Sequence, residues 1–397
     1  LHPNTGSFNK TPMPRKSIRT RRGHFVLLFI AGFLSFQSCR AVIGAGGEAK
    51  FLGANSCASS GCHGVAGAHQ NQYLVWSSRD FHFQRPFATL TTARSKQISA
   101  ALQIKDPTTA HQCVSCHAPL SEVPETLRGD SVRITEAVSC ETCHAPAENW
   151  LRSHTRTDYT HADRVVAGMR DLKNLYVRAN TCVACHQTVS PPLLEAGHPE
   201  LIFELDGQGI TEPKHWREKP DWQGAQAWAV GQSVALREML WQLETSGKQD
   251  QKLAARAEAL LWLFEKIGLA TNGWPKSDLA TGQSGRDKST HARAAADILA
   301  QEIAEANWSA AVSQSILRAL AKSSGDFKKP ATFPEQHARR AERLVLAIDR
   351  LCNPQPGSEV DKQLKILFSL AQSIPDFKPG AFGSALEEFA HALDQQR

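Results

Sequence analysis

Ten cysteines occur in this chain, and eight of them stand in pairs followed directly by a histidine. Three pairs have the form Cys-x-x-Cys-His: Cys113 to His117, Cys140 to His144 and Cys182 to His186. An earlier variant, Cys57 to His63, places four residues between its cysteines. A disulfide framework gives no reason for the histidine. A zinc ribbon is also a poor fit, because 23 residues separate Cys116 from Cys140, wider than the usual spacing. Covalent attachment of haem c uses every residue of the pattern. Each thiol adds to one vinyl group of the same porphyrin. Two intervening residues bring the sulfurs to i and i+3 on one tight helical turn, on one face. The adjacent histidine then swings beneath the ring and supplies a proximal nitrogen to iron. The candidate attachment residues are thus Cys57 and Cys62, Cys113 and Cys116, Cys140 and Cys143, and Cys182 and Cys185. The candidate proximal ligands are His63, His117, His144 and His186, for up to four haems. The wider first loop requires a bulged turn.

Low-potential electron-transfer haems take a second histidine on the opposite face. His69, His82, His111, His154, His161, His198 and His215 lie between positions 57 and 220, so supply exceeds demand and counting alone assigns none. Met169 is a further sixth-ligand candidate. His215, and beyond it His291, His337 and His391, read as ordinary surface or core histidines.

The elements that must position these residues divide by character. Residues 1–40 carry seven cationic side chains, among them Arg15, Lys16, Arg19, Arg21 and Arg22, and no acid. The whole chain is formally +6, so residues 41–397 are left at −1. The bulk is therefore not basic, and nucleic-acid binding loses its electrostatic support. A basic stretch, an apolar run from Phe25 to Phe36 and small residues after it read as an export signal. Met13 is a more natural initiator than Leu1. The apolar run is too short to span a bilayer. An uncleaved signal, or a lipid on Cys39, would instead hold the protein at a membrane, although Phe36-Gln37-Ser38 is a poor lipobox. Residues 1–45 are read as signal and lead-in, and the protein as periplasmic or otherwise exported.

From 46 to 220 the chain is rich in histidine and poor in long periodic elements, as expected where porphyrins form much of the apolar core. Tyr73, Leu74, Trp76 and Phe81 are suitable walls for a porphyrin face. From 221 to 397 it reads as amphipathic helices without haem: 222–246, 250–268, 288–306, 309–323, 335–352, 358–373 and 381–393. Leu253, Leu260, Leu261 and Phe264 share a face, Cys352 reads as a buried helical cysteine, and 269–286 is a Gly- and Ser-containing linker.

The order of motifs resembles a known family. After the first site come Tyr73-Leu74-Val75-Trp76-Ser77-Ser78-Arg79-Asp80-Phe81-His82, then Cys113–His117. Val138-Ser139-Cys140-Glu141-Thr142-Cys143-His144-Ala145-Pro146 and Trp150-Leu151-Arg152-Ser153-His154 follow. Gly168-Met169-Arg170-Asp171-Leu172 precedes Cys182–His186, and Gly197-His198-Pro199-Glu200-Leu201 closes the set. Over residues 50–205 this is similar to tetrahaem cytochromes of the c-554 type, the cytochrome c-552/4 domain group. The resemblance implies haems packed in near-contact pairs, mostly bis-histidine ligation, and His82, His154 and His198 as distal ligands. It also implies that one haem lacks a distal ligand, and a redox partner of the hydroxylamine oxidoreductase kind. The longer first loop departs from the pattern, and the helical half is an addition, so that partner need not carry over. The fold class expected is mainly α: a haem-packed N-terminal multihaem cytochrome domain followed by an all-α helical domain.

Three functions compete. The first is an electron carrier between redox partner proteins. The second is a multihaem reductase or oxidase of a small nitrogen compound, which needs an open iron position and anion-binding groups such as Arg79, Arg85, Arg152 and Arg156. The third is a helical interaction module, for which no clean repeat period is present. The residues favour the first.

Overall fold

Local capping residues, more than apolar periodicity, build the first half of the chain. The computed structural model describes residues 49–67, 69–218, 222–245, 250–270, 286–372 and 376–395. Its first helices are short: α1 (Gln72–Arg79), α2 (Arg85–Thr89), α3 (Ala93–Ala101), α4 (His111–His117), α5 (Cys140–His144), α6 (His161–Val166), α7 (Leu175–His186), α8 (Pro191–Glu195) and α9 (Leu205–Thr211). Thr92 accepts the Ser95 amide at the start of α3, and Thr160 and Asp163 accept from each other's amides at the start of α6. The Asn174 side chain accepts the Tyr176 and Val177 amides and so starts α7. Among the described residues there is no strand, only isolated bridges at Phe51–Arg128 and Phe83–Ala137. Apolar clusters here are small, one around Phe51, Leu120 and Val123 and another around Leu90, Val114 and Ala118.

Beyond position 222 periodicity takes over. The helices are α10 (Gly224–Thr245), α11 (Gln251–Ala270), α12 (Arg286–Glu305), α13 (Ala310–Ala321), α14 (Ser324–Phe327), α15 (Gln336–Leu351), α16 (Glu359–Ala371) and α17 (Pro379–Gln395). Asp250 accepts the Leu253 amide at 3.0 Å and caps α11, as its place before an apolar run predicts. Leu253, Leu260 and Phe264 are buried, and Leu261 packs partly buried beside them. The short α14 was not legible in the pattern. Cys352 sits at the C-cap of α15 with extended backbone, not within a helix, and is half-buried against the core. Export segment 1–45 and most of linker 269–286 lie outside the described residues. Among the described residues no helix is long and apolar enough to cross a membrane.

Every described residue belongs to one compact unit, Gln37–Arg397. Packing crosses position 220. Ala179 and Val183 of α7, with Phe203 and Leu205, share a core with Trp228, Leu236 and Leu263 of α10 and α11. A Cβ added at Gly231 would press on the Leu205 side chain, so α9 and α10 approach closely. Each large apolar side chain buried there contributes roughly 1.5–3 kcal/mol. Helix α7, which ends in the Cys182–His186 motif, is thus seated in the core of the helical half.

Candidate functional site

Three of the Cys-pair motifs close helices. Cys113, Cys116 and His117 end α4; Cys140, Cys143 and His144 form α5; Cys182, Cys185 and His186 end α7. In α5 the Thr142 hydroxyl accepts the Ser139 amide at 3.2 Å, starting the turn. Arg170 donates to the carbonyls of Thr142 (2.8 Å) and Cys143 (3.0 Å), satisfying groups that a helix end leaves open. The buried Glu141 carboxylate accepts the amides of Leu52 (2.9 Å), Gly53 (2.6 Å) and Ala147 (2.7 Å). Burial pushes its pKa up, and those three donors oppose the rise.

The variant motif closes differently. Its turn is held by the His63 amide on the Cys57 carbonyl (3.1 Å) and by the amides of Cys62 (2.9 Å) and Gly64 (3.0 Å) on the Ser59 carbonyl. A Cβ on residue 64 would overlap the Ala58 carbonyl, so the four-residue loop depends on glycine at that place.

The proximal candidates meet the distal ones ring to ring. The centroids of His63 and His154 lie 6.1 Å apart, nearly parallel at 15°. Those of His186 and His82 are 5.9 Å apart and perpendicular, and those of His117 and His198 are 6.5 Å apart. Two imidazoles on one iron, each nitrogen roughly 2 Å from the metal and each ring centre about 1 Å further, require centres about 6 Å apart. In all six rings Nδ1 is engaged elsewhere. It lies 2.9 Å from Gln72 Oε1 for His63 and donates to the Pro86 carbonyl at 2.7 Å for His117. His154 and His198 donate to the carbonyls of Leu151 (2.5 Å) and Pro199 (2.8 Å). His82 Nδ1 faces Asp80 Oδ1 at 3.1 Å, and His186 Nδ1 faces the Gln208 amide at 3.2 Å. That pattern leaves each Nε2 for a metal and fixes each ring's orientation, as second-shell partners of ligating histidines do. The residues therefore fit axially ligated haem. When bound, that group supplies reversible one-electron oxidation and reduction of its iron.

Local backbone places the distal residues. Gly197 adopts φ +104°, a conformation open to glycine, and turns the chain so that the His198 amide bonds the Leu193 carbonyl at 2.9 Å. His154 sits in a single 3₁₀ turn, Ser153–Thr155, with its ring edge-on to Trp150. His82 follows the C-cap of α1, where Asp80 Oδ1 accepts its amide at 2.8 Å. Asp80, His82 and Glu212 form the one group among the described residues whose His, Cys or carboxylate ligand atoms converge within 4.8 Å.

Other sequence candidates go elsewhere. His111 pairs with Glu122 at 2.6 Å, His161 with Asp171 at 3.0 Å, and Arg217 reaches His69 at 2.9 Å. Trp76 is buried, packs on Phe83 and donates to the Val138 carbonyl, whereas Leu74 and Phe81 are exposed. Arg85 stacks over Phe81 and Arg156 pairs with Asp158. His144 differs from the other proximal candidates: among the described residues no histidine ring stacks on it. Burial pushes its pKa down to about 4, and His215, Arg170, His63 and His154 add electrostatic pressure in that order. The motifs are adjacent in pairs. The Cys57 thiol lies in hydrogen-bond contact with Cys140, and the Cys116 thiol with Cys185, all four being free cysteines. Sequence reasoning missed Gln72, Glu141, Gln208 and Glu212, which carry no spacing signal.

The cofactor is covalently bound c-type haem, and the segment bearing the first three motifs is that of a c-type cytochrome in electron transfer. Residues 57–145 match the family described as cytochrome c554 and c-prime, and this segment is a domain of cytochrome c-554 type. No curated protein and no solved structure matches the chain.

Proposed function

We propose that the chain is an exported tetrahaem cytochrome that passes single electrons between redox partners. The observation that supports this best is the meeting of three proximal histidines with three distal ones at 5.9–6.5 Å. His63 with His154, His117 with His198, and His186 with His82 would hold the irons in pairs. Cys57 beside Cys140 and Cys116 beside Cys185 bring the first and third centres together, and likewise the second and fourth. An electron entering at any centre thus has a neighbour within the protein. The basic stretch and apolar run before residue 37 support export to the periplasm. The protein's role is to orient the rings, exclude water from them and set each potential by ligand, burial and charge. A pyridine haemochrome assay should count four haems per chain; three would remove the Cys57–His63 site. Stopped-flow mixing should then show reduction by dithionite followed by electron delivery to an oxidised acceptor cytochrome. Haems that reduce but never pass electrons on would defeat the proposal.

One observation favours a second reading. His144 lacks a ring partner among the described residues, so its iron would keep one open position. That is the requirement for turnover of a small nitrogen compound, with Arg170 as the nearby cation. A high-spin paramagnetic resonance signal that changes with nitric oxide or nitrite would support it. Four low-spin haems would not.

A further inference from the structure

We propose that α9, anchored on the helical half, grips both axial histidines of one haem and holds its reduction potential below those of the other bis-histidine haems. The inference rests on the pairing of His82 with His186 proposed above. Gln208 and Glu212 are four residues apart, on one side of a single helical turn, with the Glu212 amide donating to the Gln208 carbonyl at 2.9 Å. Gln208 meets Nδ1 of His186 at 3.2 Å, and Glu212 Oε1 lies 3.8 Å from Nδ1 of His82. One turn therefore lies beside both rings of the proposed pair.

The two contacts differ in chemistry. Gln208 Oε1 is buried without a partner, and rotation of the amide turns that acceptor onto the Nδ1–H of an iron-bound His186. At His82 the Nδ1–H faces the Asp80 carboxylate at 3.1 Å, with the Glu212 carboxyl, whose pKa burial raises to about 7, at 3.8 Å. The other pairs find only neutral oxygens: Gln72, Pro86, Leu151 and Pro199. A carboxylate on Nδ1–H draws the proton away and makes the ligating nitrogen a stronger donor. That favours the oxidised iron. Asp80 belongs to the matched cytochrome segment, whereas Gln208 and Glu212 lie outside it.

The grip is built from the helical half. Asp206 pairs with Arg350 of α15 at 3.4 Å, and Gln232 of α10 donates to Glu204 at 2.8 Å. Leu205 presses on Gly231. The helical addition thereby gains a role in the redox chemistry without holding a haem.

The test is a potentiometric titration of the full-length haem-loaded protein, followed by visible absorbance and low-temperature paramagnetic resonance. His82→Met identifies the haem by removing its bis-histidine low-spin signal; if no such signal changes, the axial pairing itself is wrong. With the haem identified, Glu212→Gln should shift its midpoint upward and leave the others in place. Gln208→Leu should change the g-values of the same haem. Unchanged midpoints in Glu212→Gln, or an equal shift of every haem, would overturn the proposal. Should Glu212→Gln fail to fold, Gln208→Leu decides alone: altered g-values at that haem support the grip, and unaltered ones overturn it.

Discussion

At the scale of single residues, the chemistry hangs on groups other than the cysteines and histidines of the haem motifs. Glu141 gathers three backbone amides into one buried carboxylate and so ties the segment at Leu52 and Gly53 to the third motif. Glu141→Ala strands those donors and should cost roughly 3 kcal/mol or more. Thermal unfolding should record that loss, and the haemochrome count should fall at Cys140–His144 first. A variant with unchanged melting and full haem content would show that the carboxylate is dispensable. Gly64 is similarly decisive for the first motif. Gly64→Ala forces a methyl into the Ala58 carbonyl, so the haem count should drop by one with the remaining spectra unchanged. The motif residues were legible because their spacing is itself the chemistry. Glu141 was not, because its amide partner at Gly53 lies 88 positions away and nothing local announces the contact.

At the scale of elements, periodicity made α10 to α17 readable, with the exception of α14, whose four residues are too few to show a period. Distal histidines are a different matter. Seven candidates were equivalent by composition. The family resemblance picked out His82, His154 and His198, and the structure sets the rings of those three beside His186, His63 and His117. What distinguishes them is tertiary placement, which a lone histidine in a sequence cannot express. The short segment before α10 also carries a measurable electrostatic strain. Burial pushes Glu204 up to about 7 from an ordinary 4.5, against the opposing pull of Arg343 and Arg350. Between those values the folded protein holds a proton that the unfolded chain has released, so stability falls as pH rises through them. Glu204→Gln removes that dependence. Denaturant titrations from about pH 5 to pH 8 should show the wild type losing stability relative to the variant by about 2–3 kcal/mol. Parallel curves across that range would contradict the burial argument.

At the scale of the whole molecule, the haem-bearing and helical halves are distinct in composition yet share a core through α7 and α9. Residues 46–220 produced alone would expose Ala179, Val183, Phe203 and Leu205, which the full chain buries. That fragment should carry fewer haems than the full chain and lose the low-spin signal of the His186 centre. A soluble, fully loaded fragment would show that the halves are independent. The sharing of α7 also favours an order of events. Cys182 is partly buried against the common core, so docking of the helical half narrows access to its thiol. On the proposed tetrahaem reading, thioether formation at the fourth motif is easier before the helical half closes. A chain whose C-terminal helices collapsed first would present that cysteine pair already half-covered. Synthesis from the N-terminus favours the productive order, because residue 186 emerges well before the helices that enclose it. The helix that the last motif ends thus bears on how readily that motif matures.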